Sequence, residues 1–319
     1  MNILVSGVAS DVGFGVARIL RNWDHTKKLF GVDIKTDHPG KFICDACELS
    51  PLPSDDNYIS WLENYIKSND INLFVPTSDA EISFLVSQNL SSLCGAKILI
   101  NEKHVVEKSL DKHECMNFLS TKGIDVPRHG LLNKYDKVSS KWYESDLFPI
   151  ILKPRFGQGS KGFRKIRSKE EFPEYEHDVY IWQEYLQPDD LEYTCAAYCS
   201  DTIEKRILII KRHLQGGVTG SGEIIKHKEI YSYISSIVEA FQLKGVINIQ
   251  LRLTKSGPIL FEINPRLSST VVFRDKLGFS DLKWWINDLF SLDNIEYNEP
   301  LEGIKFYRKT HEYIVSKKS

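Results

Sequence analysis

The sequence predicts a two-part fold: an α/β domain with a parallel sheet, then a larger α+β portion built on antiparallel sheet. Two observations carry this expectation. Up to about residue 104, short apolar runs alternate with helix-length stretches, as in strands joined by crossover helices. Beyond that point, six β-rich runs follow one another at hairpin-like spacing.

In the first part, strands are expected at 2–6, 29–33, 71–75 and 97–100, with helices at about 13–22, 57–68 and 79–90. The first strand runs into SGVASDVGFGVARIL, whose Gly7, Gly13 and Gly15 suggest a strand-to-helix turn able to close on a pyrophosphate. Asp33 ends the second strand, where a dinucleotide enzyme would hold a ribose. A helix at about 109–122 is stopped by Gly123, and a connecting segment runs to Pro127. Then come PIILKP, VYIWQEYL, LEYTCAAYCS, KRILIIKRH, VINIQLRLT and GPILFEINP, interrupted by one helix at about 229–243. The last two runs form a hairpin turning at Lys255, Ser256 and Gly257, with Pro258 opening the return strand. The tail, GIKFYRKTHEYIV and a basic tip, carries a further strand-like run, and there is no internal repeat.

Composition narrows the function. Forty-one basic against 43 acidic side chains in 319 residues give a net charge of −2, which argues against a broad nucleic-acid surface. No run reaches the roughly 18 apolar residues of a membrane helix. The N-terminus reads as a first strand and not a signal peptide, so a soluble cytoplasmic protein is expected. Six cysteines then read as reduced structural thiols. Cys44 and Cys47 form C-x-x-C, the pattern of a redox pair or of half a zinc site, with no second half to complete the latter, and Cys195 and Cys199 share a strand face.

Three stretches carry chemistry. FPIILKPRFGQGSKGFRKI delivers Lys153 from a buried strand into a loop with Gly157, Gly159, Ser160 and Gly162, which would fold backbone N–H groups over a polyphosphate. An ordinary surface loop explains three glycines equally well. In YIWQEYLQPDDLEY, Gln183 and Glu184 end a strand that leads through Leu186 to Glu192; this reads as an adenine-facing hinge or as a strand end with solvated acids. In GVINIQLRL and PILFEINPR, alternate residues share a face, so antiparallel pairing would gather Gln250, Glu262 and Asn264. Oxygen donors of this kind suit Mg²⁺. Arg266 follows as a planar anion clamp.

The order of these motifs, K-P-R-x-G-x-G-S-x-G, Q-E-Y-L, N-x-Q and F-E-I-N-P-R, resembles the ATP-grasp superfamily, closest to its carbamoyl-phosphate-synthetase-like carboxylate–amine ligases. The resemblance implies a Rossmann-like pre-ATP-grasp domain over 1–104, an ATP-grasp domain over 105–300 with a small lobe at about 125–186, and a terminal strand and tail over 301–319. It further implies that Lys112 and Lys153 contact phosphates beneath the loop of Gly157, Gly159, Ser160 and Gly162. Gln183, Glu184 and Leu186 would read adenine and Glu192 the ribose. Gln250, Glu262 and Asn264 would bind Mg²⁺, with Mn²⁺ as an alternative ion, and Arg266, Lys153 and Arg212 would serve catalysis. The implied partners are a small-molecule carboxylate and amine, with a homodimer expected and neither nucleic acid nor membrane. In QGGVTGSGE the synthetase's histidine is replaced by Thr219, which argues against carbamoyl phosphate as product.

Two other readings stand beside this one. The glycine turn could serve an NAD(P)-dependent oxidoreductase or epimerase, although G-x5-G-x-G is neither the Rossmann nor the short-chain spacing. A nucleotide-binding subunit without turnover is the other, against which stand Lys112, Lys153, Glu262, Asn264 and Arg266 all being in place.

Overall fold

A computed structural model describes residues 1–132, 148–157, 162–171, 179–203, 205–292, 295–309 and 313. They divide into two compact units, one of Met1–Ile100, His213–Glu223 and Leu267–Ser319, the other of Asn101–Arg212 and Ile224–Arg266.

The first unit holds a six-stranded sheet of β1 (Asn2–Ser6), β2 (Lys28–Asp33), β3 (Ala46–Leu49), β4 (Leu73–Val75), β5 (Ser92–Leu93) and β6 (Ala96–Ile98), ordered β3-β2-β1-β4-β6-β5. All neighbours run parallel except β5 and β6. The central strands are apolar on both faces, as burial between two helical layers demands. Helices α1 (Asp11–Arg21), α2 (Tyr58–Ser68) and α3 (Asp79–Ser87) connect them.

The glycine turn is tightened by its own chain. A Cβ at Gly13 would stand 2.2 Å from the Gly7 carbonyl oxygen, so only glycine lets α1 start so close to the strand end. Ser10 caps the helix, its Oγ accepting from the Gly13 N–H at 3.1 Å. Both Asp33 oxygens are engaged locally, accepting from the N–H groups of Ala9 (2.8 Å) and Lys35 (3.0 Å).

Later segments add α7 (Val271–Lys276), α8 (Asp281–Phe290) and the pair of β13 (Val218–Ile224) with β16 (Lys305–Tyr307) to this unit. Arg274 is its largest fully buried side chain. Its Nη1 donates to the hydroxyls of Ser268 and Thr270, each at 2.7 Å, and its Nη2 lies 2.7 Å from Asp281.

The second unit begins with α4 (Lys103–Leu110) and α5 (Lys112–Thr121). The single helix expected at 109–122 is thus the end of one helix and all of the next. Asp111 lies between them in extended backbone, and its carboxylate caps α5 by accepting from the N–H groups of His113 and Glu114. A four-stranded antiparallel sheet follows, ordered β7-β10-β8-β9, of β7 (His129–Leu131), β8 (Ile150–Pro154), β9 (Arg164–Ile166) and β10 (Tyr180–Glu184). A larger sheet contributes β11 (Glu192–Cys199), β12 (Arg206–Gln215), β14 (Gly245–Thr254) and β15 (Gly257–Asn264) in the order β15-β14-β11-β12. Its core packs Cys115, Met116 and Leu119 of α5 and Ile230, Ile234 and Ile237 of α6 (Lys228–Ala240) against Ile247, Ile249 and Leu260.

The region after residue 104 was expected to hold one further helix, at 229–243; the structure adds α4, α7 and α8. It also adds β3 and β5, and shortens the strand expected at 71–75 to Leu73–Val75. The additions are short, none longer than ten residues, and β3 has no buried residue.

Candidate active site

The β14–β15 hairpin builds the centre. Its register sets Asn248 opposite Asn264 and Gln250 opposite Glu262, so these four side chains share one face of the sheet. Immediately beyond, Leu251 pairs with Leu260, leaving Phe261 as the extra residue of a β-bulge. A bulge frees a backbone carbonyl from the ladder, and this one is taken: Lys153 Nζ donates to Phe261 O at 2.7 Å. The bulge therefore anchors the β8 lysine beside Glu262. Lys153 is only 8% exposed, and burial lowers its ammonium to about 8 while Glu262 pulls it back up.

Arginines hold the amide oxygens. Arg212 Nη2 donates to Gln250 Oε1 at 2.8 Å, and Arg266 Nη2 to Asn264 Oδ1 at 3.0 Å. Asn248 is fixed by Thr194 Oγ1 donating to its Oδ1 at 3.1 Å. The Asn101 amide donates to the carbonyls of Val246 (2.7 Å) and Pro265 (2.8 Å), which sets the chain between Asn264 and Arg266.

The donor set fits Mg²⁺. Glu262 and the amide oxygens of Gln250 and Asn264 are all hard oxygen donors, and each amide oxygen keeps a second lone pair beyond its arginine. Among the described residues no three His, Cys, Asp or Glu side chains cluster as metal ligands. A single carboxylate therefore suits an ion that shares its coordination with phosphate oxygens.

A second group lies at the start of α5. Lys112 Nζ donates to Gly157 O at 2.6 Å, and the Lys112 N–H to Arg155 O at 3.2 Å. Arg155 in turn pairs with the capping Asp111, Nη2 to Oδ2 at 2.7 Å. Lys112, Arg155 and Gly157 are thus tied together at a helix N-terminus. Gly157 adopts φ +106° and Gly162 φ +76°, conformations that favour glycine. Gly159 and Ser160 lie outside the described residues.

The hinge residues sit on or after β10. Gln183 is buried between Ile151 of β8 and His129 of β7. The Glu184 carboxylate accepts from Arg128, from its N–H and Nε at 3.2 Å and from Nη2 at 3.3 Å. Leu186 O accepts from Arg252 Nη1 at 2.5 Å. Glu192 is buried between two guanidiniums, Arg212 (2.7 Å) and Arg252 (3.0 Å).

The resemblance implied a ribose contact for Glu192 and a catalytic role for Arg212; the structure joins them in one ion-pair network that ends on Gln250. The residues missed by sequence reasoning are those that hold others: Asn101, Asp111, Arg128 and Arg155. Arg252 carried a signal, being two positions from Gln250 on the same strand.

A family model described as an ATP-grasp domain matches residues 109–270, the span that contains this site apart from Asn101. The chain is 24% identical over 200 residues to the C-terminal section of the carbamoyl phosphate synthase large chain of Aquifex aeolicus; the match covers 57% of this chain and 37% of that protein. The chain therefore spans little more than a third of that relative's length. Its fold is similar to N5-carboxyaminoimidazole synthetase from Staphylococcus aureus, a structure complexed with ADP (TM-score 0.72, 14% identity, 94% of this chain and 79% of that one). It is also similar to L-amino acid ligase from Bacillus licheniformis (TM-score 0.67, 15% identity, 94% and 75%). With the domain match spanning half its length and enclosing the paired lysines and the polar hairpin, the chain belongs to the ATP-grasp family.

Proposed function

We propose that the chain is an ATP- and Mg²⁺-dependent ligase that activates a substrate carboxylate as an acyl-phosphate and transfers the acyl group to an amine, releasing ADP and phosphate. The observation that carries this reading is the hairpin face of Gln250, Glu262 and Asn264, with Lys153 anchored beside it on the bulge carbonyl.

In this reading Lys153 and Lys112 neutralise the phosphates, and the loop from Gly157 to Gly162 covers them. Mg²⁺, held by Glu262, Gln250 and Asn264, supplies charge compensation for the oxygens of the transferring phosphoryl group. Arg266, steadied through Asn264, faces the γ-phosphate and then the acyl-phosphate. A substrate carboxylate oxygen attacks the γ-phosphorus and ADP leaves; an amine then attacks the acyl carbon and phosphate leaves. The protein contributes position and fixed charge to both steps.

Gln183, Glu184 and the Leu186 backbone are proposed at the adenine and Glu192 near the ribose. Glu192 also orients Arg212 for the substrate side. Both substrates are small molecules, and a homodimer belongs to the same proposal. Among the described residues no helix is long and apolar enough to cross a membrane, and the proposal places the enzyme in the cytoplasm.

The test replaces the unidentified amine by hydroxylamine. Incubated with ATP, Mg²⁺ and a panel of amino-acid and other small carboxylates, the chain is expected to release ADP and hydroxamate in equal amounts with at least one of them. ADP release without hydroxamate across the panel would contradict the acyl-phosphate route.

A further inference from the structure

Two of the six cysteines meet, and the ligase reading uses neither. Cys44 follows a short 3-10 turn (Pro39–Phe42), and Cys47 lies on β3, paired in register with Gly31 of β2. A Cβ at Gly31 would stand 2.7 Å from Cys44 Sγ and 2.9 Å from Cys47 Sγ. Both sulfurs therefore converge on one glycine, and the missing methyl is the space they share.

The thiols differ in exposure and in acidity. Cys44 is buried and Cys47 half-buried. A hydrogen bond between them pushes the Cys44 thiol up, with burial adding to the rise. The same bond holds Cys47 below its ordinary value, helped by the charge of Lys41. The segment that carries them is fixed. Arg21 of α1 donates to Ile43 O at 2.7 Å and pairs with Asp45 at 2.9 Å, and the Leu29 N–H donates to Asp45 at 2.7 Å. Of the other four thiols, Cys94 is exposed, and Cys115, Cys195 and Cys199 are buried.

A partly open, acidified thiol backed by a buried one is the arrangement of an attacking and a resolving cysteine. The sequence alone set a redox pair beside structural thiols; the convergence of both sulfurs on Gly31 favours the pair. We propose that Cys44 and Cys47 form a dithiol site that reacts with small-molecule disulfides and closes to an intramolecular disulfide.

The step balances as thiol–disulfide exchange. The Cys47 thiolate attacks one sulfur of the disulfide R–S–S–R, the S–S bond breaks, and one thiolate leaves and takes a proton. The Cys44 thiol gives its proton to solvent and attacks Cys47 Sγ, displacing the second thiolate, which is protonated in turn. Two protein thiols lose two electrons and two protons, and the small disulfide becomes two thiols. The site lies next to the glycine turn: Val8 Cγ1 would be 3.2 Å from the same Gly31 Cβ.

The experiment treats the native full-length chain with oxidised glutathione, traps remaining thiols by alkylation and maps the peptides by mass. The expected result is a Cys44–Cys47 cross-link, with two fewer alkylated thiols and no glutathione on either residue. In Cys44→Ser, Cys47 is expected to keep one glutathione. A second readout is phenylarsine oxide, which bridges paired thiols: about one equivalent should bind, and none in Cys44→Ser or Cys47→Ser. The proposal is overturned if both residues stay reduced while Cys94 is modified, if wild-type Cys47 keeps its glutathione adduct, or if arsenical binding survives in either variant.

Discussion

Glu262→Gln is expected to suppress ADP formation, lowering turnover by about 10²–10³-fold, the order seen when a preorganised electrostatic group is removed from a transition state. Glutamine has the same shape, and Glu262 is only partly buried, so the fold and the thermal midpoint should be unchanged. The expected loss has two sources. The hairpin face of Gln250, Glu262 and Asn264 contains one carboxylate, so the substitution removes its only formal negative charge and most of its hold on a divalent ion. It also removes the charge that sustains the buried Lys153 ammonium. Steady-state assay with the wild-type substrate pair, alongside thermal unfolding, reads both effects. Turnover within about threefold of wild type, against the loss expected on removing such a group, would contradict the role given to the hairpin.

Arg274→Met is expected to lower folding stability by about 3–5 kcal/mol at pH 7, because it leaves the Asp281 carboxyl buried without its partner. Arg274 and Asp281 are both fully buried, and Arg274 also satisfies the hydroxyls of Ser268 and Thr270. Burial already raises the Asp281 carboxyl above its ordinary value, with Arg274 opposing the shift. Without Arg274 the folded-state value rises further. A group whose folded value is raised imposes no such cost below its unfolded value of about 4, and a growing one as pH rises above it. The deficit in the variant should therefore be larger at pH 7 than at pH 4.5, as read by denaturant unfolding at the two pH values. A pH-independent deficit would mean that lost packing, not the stranded carboxyl, dominates.

Much of the fold was legible because its strands are buried on both faces. Ile3, Leu4 and Val5 stand out in any hydrophobic reading, and so do Ile247, Ile249 and Leu251. Part of what escaped was not signalled by burial. The edge strand β3 buries nothing, and α4 and α5 read as one helix because Asp111 is compatible with helix composition while acting as a cap. No local pattern announces that residues 213–223 and 267–319 pack with the first hundred.

At the site, strict alternation was enough to place Gln250 and Glu262 together. The bulge at Phe261 was not legible, because it depends on a register shift between two strands that both look regular. The anchoring of Lys153 on that carbonyl was hidden with it. The Glu192–Arg212 contact depends on a register that the structure supplies: with Tyr193 opposite Lys211, antiparallel pairing puts Glu192 opposite Arg212.

The central claim is that the lysines and the polar hairpin form an ATP·Mg²⁺ site, and calorimetric titration tests it most directly. Wild-type protein is expected to bind ATP saturably in the presence of Mg²⁺ and Lys153→Ala to lose that binding, while NAD(P)H gives no heat with either. Binding of NAD(P)H without ATP would contradict the account and return the function to the glycine turn.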